Sequence, residues 1–212
     1  MSDWAFYRTP RIIQHLFPSF IWSINTNEKV IYPTFDDGPI PGLTPLILQI
    51  LNDFEAKGTF FCVGDNIQKY PELFKSIVKS GHAVGNHTFN HLKAWKTDND
   101  EYVNNVSLCH LEIEKHFTQD KKLFRFPYGQ FNLNIAQRLK KDGFELVMWD
   151  VLSKDYNPNI SANKILQKSI EKSKHGSIIV FHDNLKAKDK ILQFLPLYLK
   201  YFSDIGFKFK KL

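Results

Sequence analysis

Short apolar runs recur along this chain with helix-period stretches between them, and that alternation restricts the fold more than any other feature. Residues 30–35 (VIYPTF) and 59–63 (TFFCV) read as strands, while Leu46, Ile47, Ile50, Leu51 and Phe54 fall at spacings of three and four between them. Gly58 is placed to end that helix. Pro71 opens a second one, with Leu73, Phe74, Ile77 and Val78 on one face and Gly81 closing it. Further strands are expected at 82–86, 123–126, 144–149, 177–182 and 207–209, and helices at 99–117, 132–141, 161–174 and 188–202. Strands that alternate with helices make a parallel sheet, because parallel neighbours need a crossover to connect them. The expected class is therefore α/β, with about seven parallel strands.

Such a sheet stays open or closes into a (β/α) barrel, and a barrel collects its chemistry at the carboxyl ends of several strands. The polar residues gather there. Asp36 and Asp37 follow the first strand, His87 and His91 the third, and Asp150 and Asp155 the fifth, while Arg125 ends the fourth and His182 the sixth.

With 212 residues, no linker-like stretch, 43% hydrophobic residues and only 10 Gly and 10 Pro, disordered and collagen-like chains are excluded. Residues 30–212 are expected to form one domain, with residues 1–29 as an extension packed on or beside it. The net charge of +6 comes from residues 161–212, where eleven Lys face four acids. These lysines are spread through amphipathic segments without Arg clusters, so they read as a solvated face rather than a nucleic-acid surface. Cys62 and Cys109 form neither a disulfide framework nor a metal pattern and fit a reducing compartment. The aromatic N-terminus lacks the pattern of a secretory signal, and no run reaches a membrane span of ~18 apolar residues. A cytoplasmic or membrane-peripheral location is the expectation, with export left open. Phe17, Phe20 and Trp22 are read first as core packing, with a weak membrane-surface contact as the alternative. The sequence sets no oligomeric state.

Four short segments carry chemistry. In Thr34-Phe35-Asp36-Asp37-Gly38-Pro39, adjacent carboxylates at a strand end point to different sides of the backbone and can hold different roles. His87 and His91 are four apart, a spacing that on one helical turn brings both imidazoles to one ion. No Glu follows His87, so this is not the metalloprotease helix. Asp37 is the natural third ligand for a divalent transition metal such as Zn²⁺, and three protein ligands leave positions open for water and substrate. Arg125, in RFPY, is suited to hold an ionised carboxylate in place, and VFHD ends a β-branched strand on His182.

In order, TFDDGP, HTFNH, RFPY, DVLSKDY and VFHD resemble the motifs of the polysaccharide deacetylase family, the group sharing the chitooligosaccharide-deacetylase homology domain. The resemblance spans about residues 30–183. It implies a distorted barrel with fewer than eight strands. It also implies Asp36 as general base, Asp37, His87 and His91 as metal ligands, and Arg125 as support of the base. The Tyr128 backbone amide is implied as an oxyanion donor, Asp155 as the residue tuning the acid, Tyr156 as an aromatic groove wall, and His182 as general acid. Tyr156 stands where the family often has Trp, Val180 where Leu is usual, and Asp150 is close enough to compete with Asp155 for its role.

The activity implied is metal-dependent hydrolysis of the N-acetyl group of an amino sugar or oligosaccharide, by activated water and without an acylated residue. The same chemistry on a lipid-linked amino sugar or another non-peptide amide, deformylation included, is the alternative. A non-catalytic saccharide-binding protein is the third reading.

Overall fold

The computed structural model describes residues 6–212, so the first five residues of the N-terminal extension lie outside it. A short helix α1 (Arg11–Leu16) precedes β1 (Val30–Asp36), whose β-branched start gives way to Asp36 at its carboxyl end. Next come α2 (Thr44–Asp53), β2 (Thr59–Cys62), α3 (Gly64–Lys69), α4 (Pro71–Lys79) and β3 (Ala83–Asn86). The long α5 (Asn99–Glu114) begins where the Asp98 carboxylate accepts from Asp100 N and Glu101 N, two amides that have no partner inside the helix. After it lie β4 (Lys122–Phe124), α6 (Leu133–Lys141), β5 (Phe144–Leu146), β6 (Val151–Leu152), α7 (Ala162–Lys172), β7 (Ile178–His182), α8 (Lys188–Asp204) and β8 (Lys208–Phe209).

Seven strands run in the order β5-β4-β3-β2-β1-β7-β6, and β8 pairs with the start of β1. Every pairing is parallel. The sheet curls into a barrel that is open between β5 and β6. Backbone of the N-terminal extension lies along this seam: Ile21 N donates to Leu146 O and Ile21 O accepts from Met148 N, both at 2.8 Å, and Ile24 N donates to Gly176 O at 2.8 Å. Residues 7–9 run antiparallel along β6, with Leu152 N donating to Tyr7 O at 2.9 Å and Thr9 N to Asp150 O at 2.8 Å. These bonds together occupy backbone groups that an edge strand leaves open.

One apolar cluster fills the space between sheet and helices and includes Phe35, Phe60, Ile179, Phe181, Phe194 and Tyr198. Phe61, Leu123, Val147 and Ile178 fill the barrel interior. The helices therefore cover the outside, and the carboxyl ends of the strands remain open as a groove.

Several local expectations change. The strand expected at 144–149 stops at Leu146, and a separate strand β6 follows at Val151–Leu152, because Val147 N bonds back to Phe124 O of β4 whereas Asp150 N bonds forward to Ile178 O of β7. The chain crosses the seam between them. Gly58 does not cap α2, which ends at Asp53 with Glu55 at φ 50°. It is needed for close approach instead, since a Cβ there would lie 3.0 Å from the Phe35 ring and 3.1 Å from Pro33 O. Phe20 (4% exposed) and Trp22 (6%) pack into the core, the preferred reading for them, with Phe20 edge-on to Phe131 and the Trp22 indole donating to Phe17 O. Among the described residues no helix is long and apolar enough to cross a membrane.

Candidate active site

Register puts the first two groups together: Asp36 of β1 is the pairing partner of His182 of β7. Neighbouring parallel strands in register place their side chains on one face. Asp36 is buried, and Arg125, itself fully buried, donates from Nη1 to Asp36 Oδ1 and Thr34 Oγ1, both at 2.7 Å. The remaining guanidinium donors reach Met148 O (2.9 Å) and Val147 O (3.3 Å), and the group lies 4.1 Å from the Phe61 ring centre. A buried cation satisfied this fully is a rigid anchor for the carboxylate. Burial lowers the Arg125 pKa, and the Asp36 charge works against that.

Asp37 turns away from the strand at φ 83°, so its carboxylate leaves the face that Asp36 occupies. Its Oδ1 lies 3.0 Å from His91 Nε2 and 3.5 Å from His87 Nε2, yet this buried oxygen has no hydrogen bond. His87 Nδ1 is 2.9 Å from Arg125 O, a carbonyl that can only accept, so Nδ1 carries a proton and Nε2 is the ring atom that faces Asp37. His91 Nδ1 is tied to Tyr128 Oη at 3.0 Å.

The two histidines are not on a helical turn. Residues 87–91 form an irregular loop in which Thr88 (φ 65°) and His91 (φ 55°) are left-handed. Tertiary bonds pin that loop: Asn105 Oδ1 of α5 accepts from Phe89 N and Asn90 N, and Gly64 N and Asp65 N, opening α3, donate to Thr88 O and Phe89 O at 3.0 Å. The imidazole rings still converge, with centroids 5.1 Å apart.

His182 Nδ1 is 2.7 Å from Asp155 Oδ1, and its backbone N donates to Asp155 Oδ2 at 2.8 Å. Burial alone would lower the imidazole pKa, but the charge and hydrogen bond of Asp155, helped by Asp37 and Asp36, raise it from 6.5 to about 9. The competing Asp150 faces away: it accepts from Ser177 Oγ (3.1 Å) and Ile178 N (3.0 Å) and pairs with Arg8 at 3.3 Å. It therefore fastens the N-terminal segment to the barrel, and Asp155 is the partner of His182. Tyr128 sits at φ 61° on a single 3-10 turn (Pro127–Gly129), and Tyr156 meets the His182 ring edge-on at 4.9 Å.

Asp36, Asp37, His87, His91, Tyr128, Tyr156 and His182 line one groove of about 420 Å³ whose walls include Trp149, Leu152 and Leu185, with Arg125 and Asp155 behind them. Three residues that the sequence did not single out also shape it. Asn105 holds the histidine loop, while Asn66 Nδ2 bonds Asp37 O (2.8 Å) and Asn184 Nδ2 bonds Asp37 Oδ2 (2.5 Å). Asn184 follows VFHD directly, the one signal that drew attention to its neighbourhood.

The donors fit a divalent ion: one atom each from Asp37, His87 and His91 lies within 4.8 Å of the others, and Asp37 Oδ1, a buried acceptor without a hydrogen bond, faces the Nε2 atoms of both histidines. A buried carboxylate oxygen left unpaired is costly, and an ion between it and two imidazoles relieves that cost. The group stands beside an Arg-anchored carboxylate and a carboxylate-bound imidazole at the mouth of a parallel barrel. The family model described as polysaccharide deacetylase matches residues 23–147. A peptidoglycan-N-acetylglucosamine deacetylase of Bacillus cereus is 33% identical over 191 residues, covering 89% of this chain and 88% of that protein. A chitooligosaccharide deacetylase of Azorhizobium caulinodans is 32% identical over 169 residues, 76% of each. The crystal structure of the Bc1960 peptidoglycan N-acetylglucosamine deacetylase, in complex with 4-naphthalen-1-yl-N-oxidanyl-benzamide, superposes with a TM-score of 0.88 at 29% identity, covering 96% of this chain and 95% of that one. This chain belongs to the polysaccharide deacetylase family.

Proposed function

We propose that this protein is a metal-dependent N-deacetylase of an N-acetylated amino sugar or oligosaccharide. One observation carries the reading: Asp37 Oδ1, without a hydrogen bond, faces both histidine Nε2 atoms between the Arg125-held Asp36 and the Asp155-held His182. The names of the relatives, peptidoglycan and chitooligosaccharide deacetylases, support an N-acetylated sugar as substrate.

A divalent ion held by Asp37, His87 and His91, Zn²⁺ on the chemistry of this nitrogen-rich set, would supply positive charge that acidifies water and polarises an acyl oxygen. Asp36 is the base. Its Oδ1 is held by Arg125, so Oδ2, 4.0 Å from His87 Nε2, is the oxygen turned to the groove to take a proton from the attacking water. The tetrahedral oxyanion is met by the Tyr128 backbone amide on its left-handed turn. His182, with Nδ1 held by Asp155, gives its Nε2 proton to the departing amine. The amide C–N bond breaks, acetate and a free amine leave, and no residue is acylated.

The test is incubation of the zinc-loaded protein with a panel of N-acetyl and N-formyl saccharides, including chitooligosaccharides and peptidoglycan fragments, with mass spectrometry to detect acyl loss. Loss from N-acetyl members is expected. Zinc-loaded protein that binds saccharides and releases no acyl group would make it a binding protein and end the proposal.

A further inference from the structure

Asn184 makes two bonds that fix each other. Its Oδ1 accepts from Ala187 N at 3.0 Å, and its Nδ2 donates to Asp37 Oδ2 at 2.5 Å. With the oxygen committed to a backbone N–H, the amide NH₂ can only face the carboxylate, and a flip would break both bonds. Ala187 is fully buried at the N-cap of α8, so the anchor belongs to a packed helix. Asp37 is held elsewhere too: its N donates to Phe61 O at 3.2 Å, and its O accepts from Asn66 Nδ2 at 2.8 Å. Of its four polar atoms only Oδ1 is left without a hydrogen bond, and that is the atom both imidazoles face.

We propose that Asn184 is a positioning residue that makes Asp37 a one-oxygen ligand: by occupying Oδ2 it presents Oδ1 alone to the metal and leaves coordination positions for water and substrate. A carboxylate has a broad, roughly two-fold χ2 preference, so without the amide Asp37 is free to turn either oxygen, or both, toward the ion. The inference rests on the reading of Asp37, His87 and His91 as metal ligands, and outer partners of this kind are worth roughly 10–100-fold in metal affinity.

Zinc affinity, measured by competition with a chromophoric chelator, tests it in two variants. Asn184→Ala removes both bonds. Asn184→Asp keeps an oxygen for Ala187 N, and with it the start of α8, but sets a second oxygen against Asp37 Oδ2. Both should bind zinc roughly 10–100-fold more weakly than wild type. In the metal-free protein, the Asn184 side-chain amide resonance should shift on Asp37→Ala, which reads the bond without any metal. Asn184→Asp binding zinc as tightly as wild type, or more tightly, overturns the proposal while leaving the metal site intact. Wild type that takes up no zinc overturns the metal reading itself, and the proposal with it.

Discussion

Asp155→Asn keeps the shape of the residue behind His182 and removes its charge. The pair is 2.7 Å apart and His182 is only 13% exposed at its side chain, so solvent screens little of the interaction. Burial opposes the imidazolium; Asp155 overcomes it, with smaller help from Asp37 and Asp36, and the result is a rise from 6.5 to about 9. At ~1.4 kcal/mol per pKa unit that net rise is worth roughly 3 kcal/mol. Because it is what remains after burial has acted, losing Asp155 should return the pKa to about 6.5 or below. The working form of an acid is the protonated one, so activity falls as pH rises through its pKa, and the basic limb of the rate profile should move down by roughly 2 units or more. The limbs are macroscopic constants of a coupled site, so the displacement between wild type and variant is the quantity to read. The assay is kcat/KM across the pH range on an N-acetyl substrate, with zinc content checked in each sample. At about pH 8 the protonated fraction drops from most of the molecules to a few per cent, a loss of roughly 30-fold, with a much smaller loss at about pH 6. Stability of the metal-free protein obeys the same linkage. A raised histidine pKa contributes stability that is complete below 6.5 and lost as pH rises through about 9, so the gap in Tm between wild type and variant should close above that value. A basic limb that stays in place would refute the assignment of Asp155 and of His182 as the acid.

Asp36→Asn should keep zinc and abolish turnover, whereas Asp37→Asn should weaken zinc binding as well; equal zinc affinities on titration would dissolve that division of roles. Gly64→Ala places a Cβ 2.5 Å from the Phe89 ring and 3.0 Å from its Cα, at the α3 amides that pin the histidine loop. It should cost about 1–3 kcal/mol in denaturant titration and weaken zinc binding, and wild-type values for both would contradict the packing argument. Burial raises the Asp183 carboxyl to about 7, against the Thr44 hydrogen bond and with the help of the Asp37 charge. Its contribution to stability is complete below the unfolded value of 3.8 and lost as pH rises through about 7. Asp183→Asn does not ionise, so its Tm relative to wild type should climb from about pH 5 to about pH 8, and a flat difference would show that the carboxyl is not strained.

Local pattern was enough for the architecture. Strand and helix periods are properties of neighbouring residues, so the β/α alternation, the strand-end positions of Asp36, Asp37, Arg125 and His182, and the grouping of chemistry at one end of a barrel were legible before any contact was known. What stayed hidden depends on partners far along the chain. His87 and His91 were legible as a pair by spacing, yet their loop is shaped by Asn105 and by the α3 amides rather than by a helical turn. Asp155 was the better match in sequence, but Asp150 follows the same apolar run and competed with it; the crossing of the chain from β4 to β7 turns Asp150 toward Ser177 and Arg8 and leaves Asp155 on His182. Asn66 carried no pattern and Asn184 only its place after VFHD, since an asparagine in a loop is usually a turn former, and it is the pairing of β1 with β2 and β7 that brings residues 29 and 147 positions away onto Asp37. Local periodicity was enough for most of the elements, though not for β6 or for the end of α2. Which side chains meet was left to the packing of those elements, because a hydrogen bond is set by distance and angle in space and leaves no period along the chain.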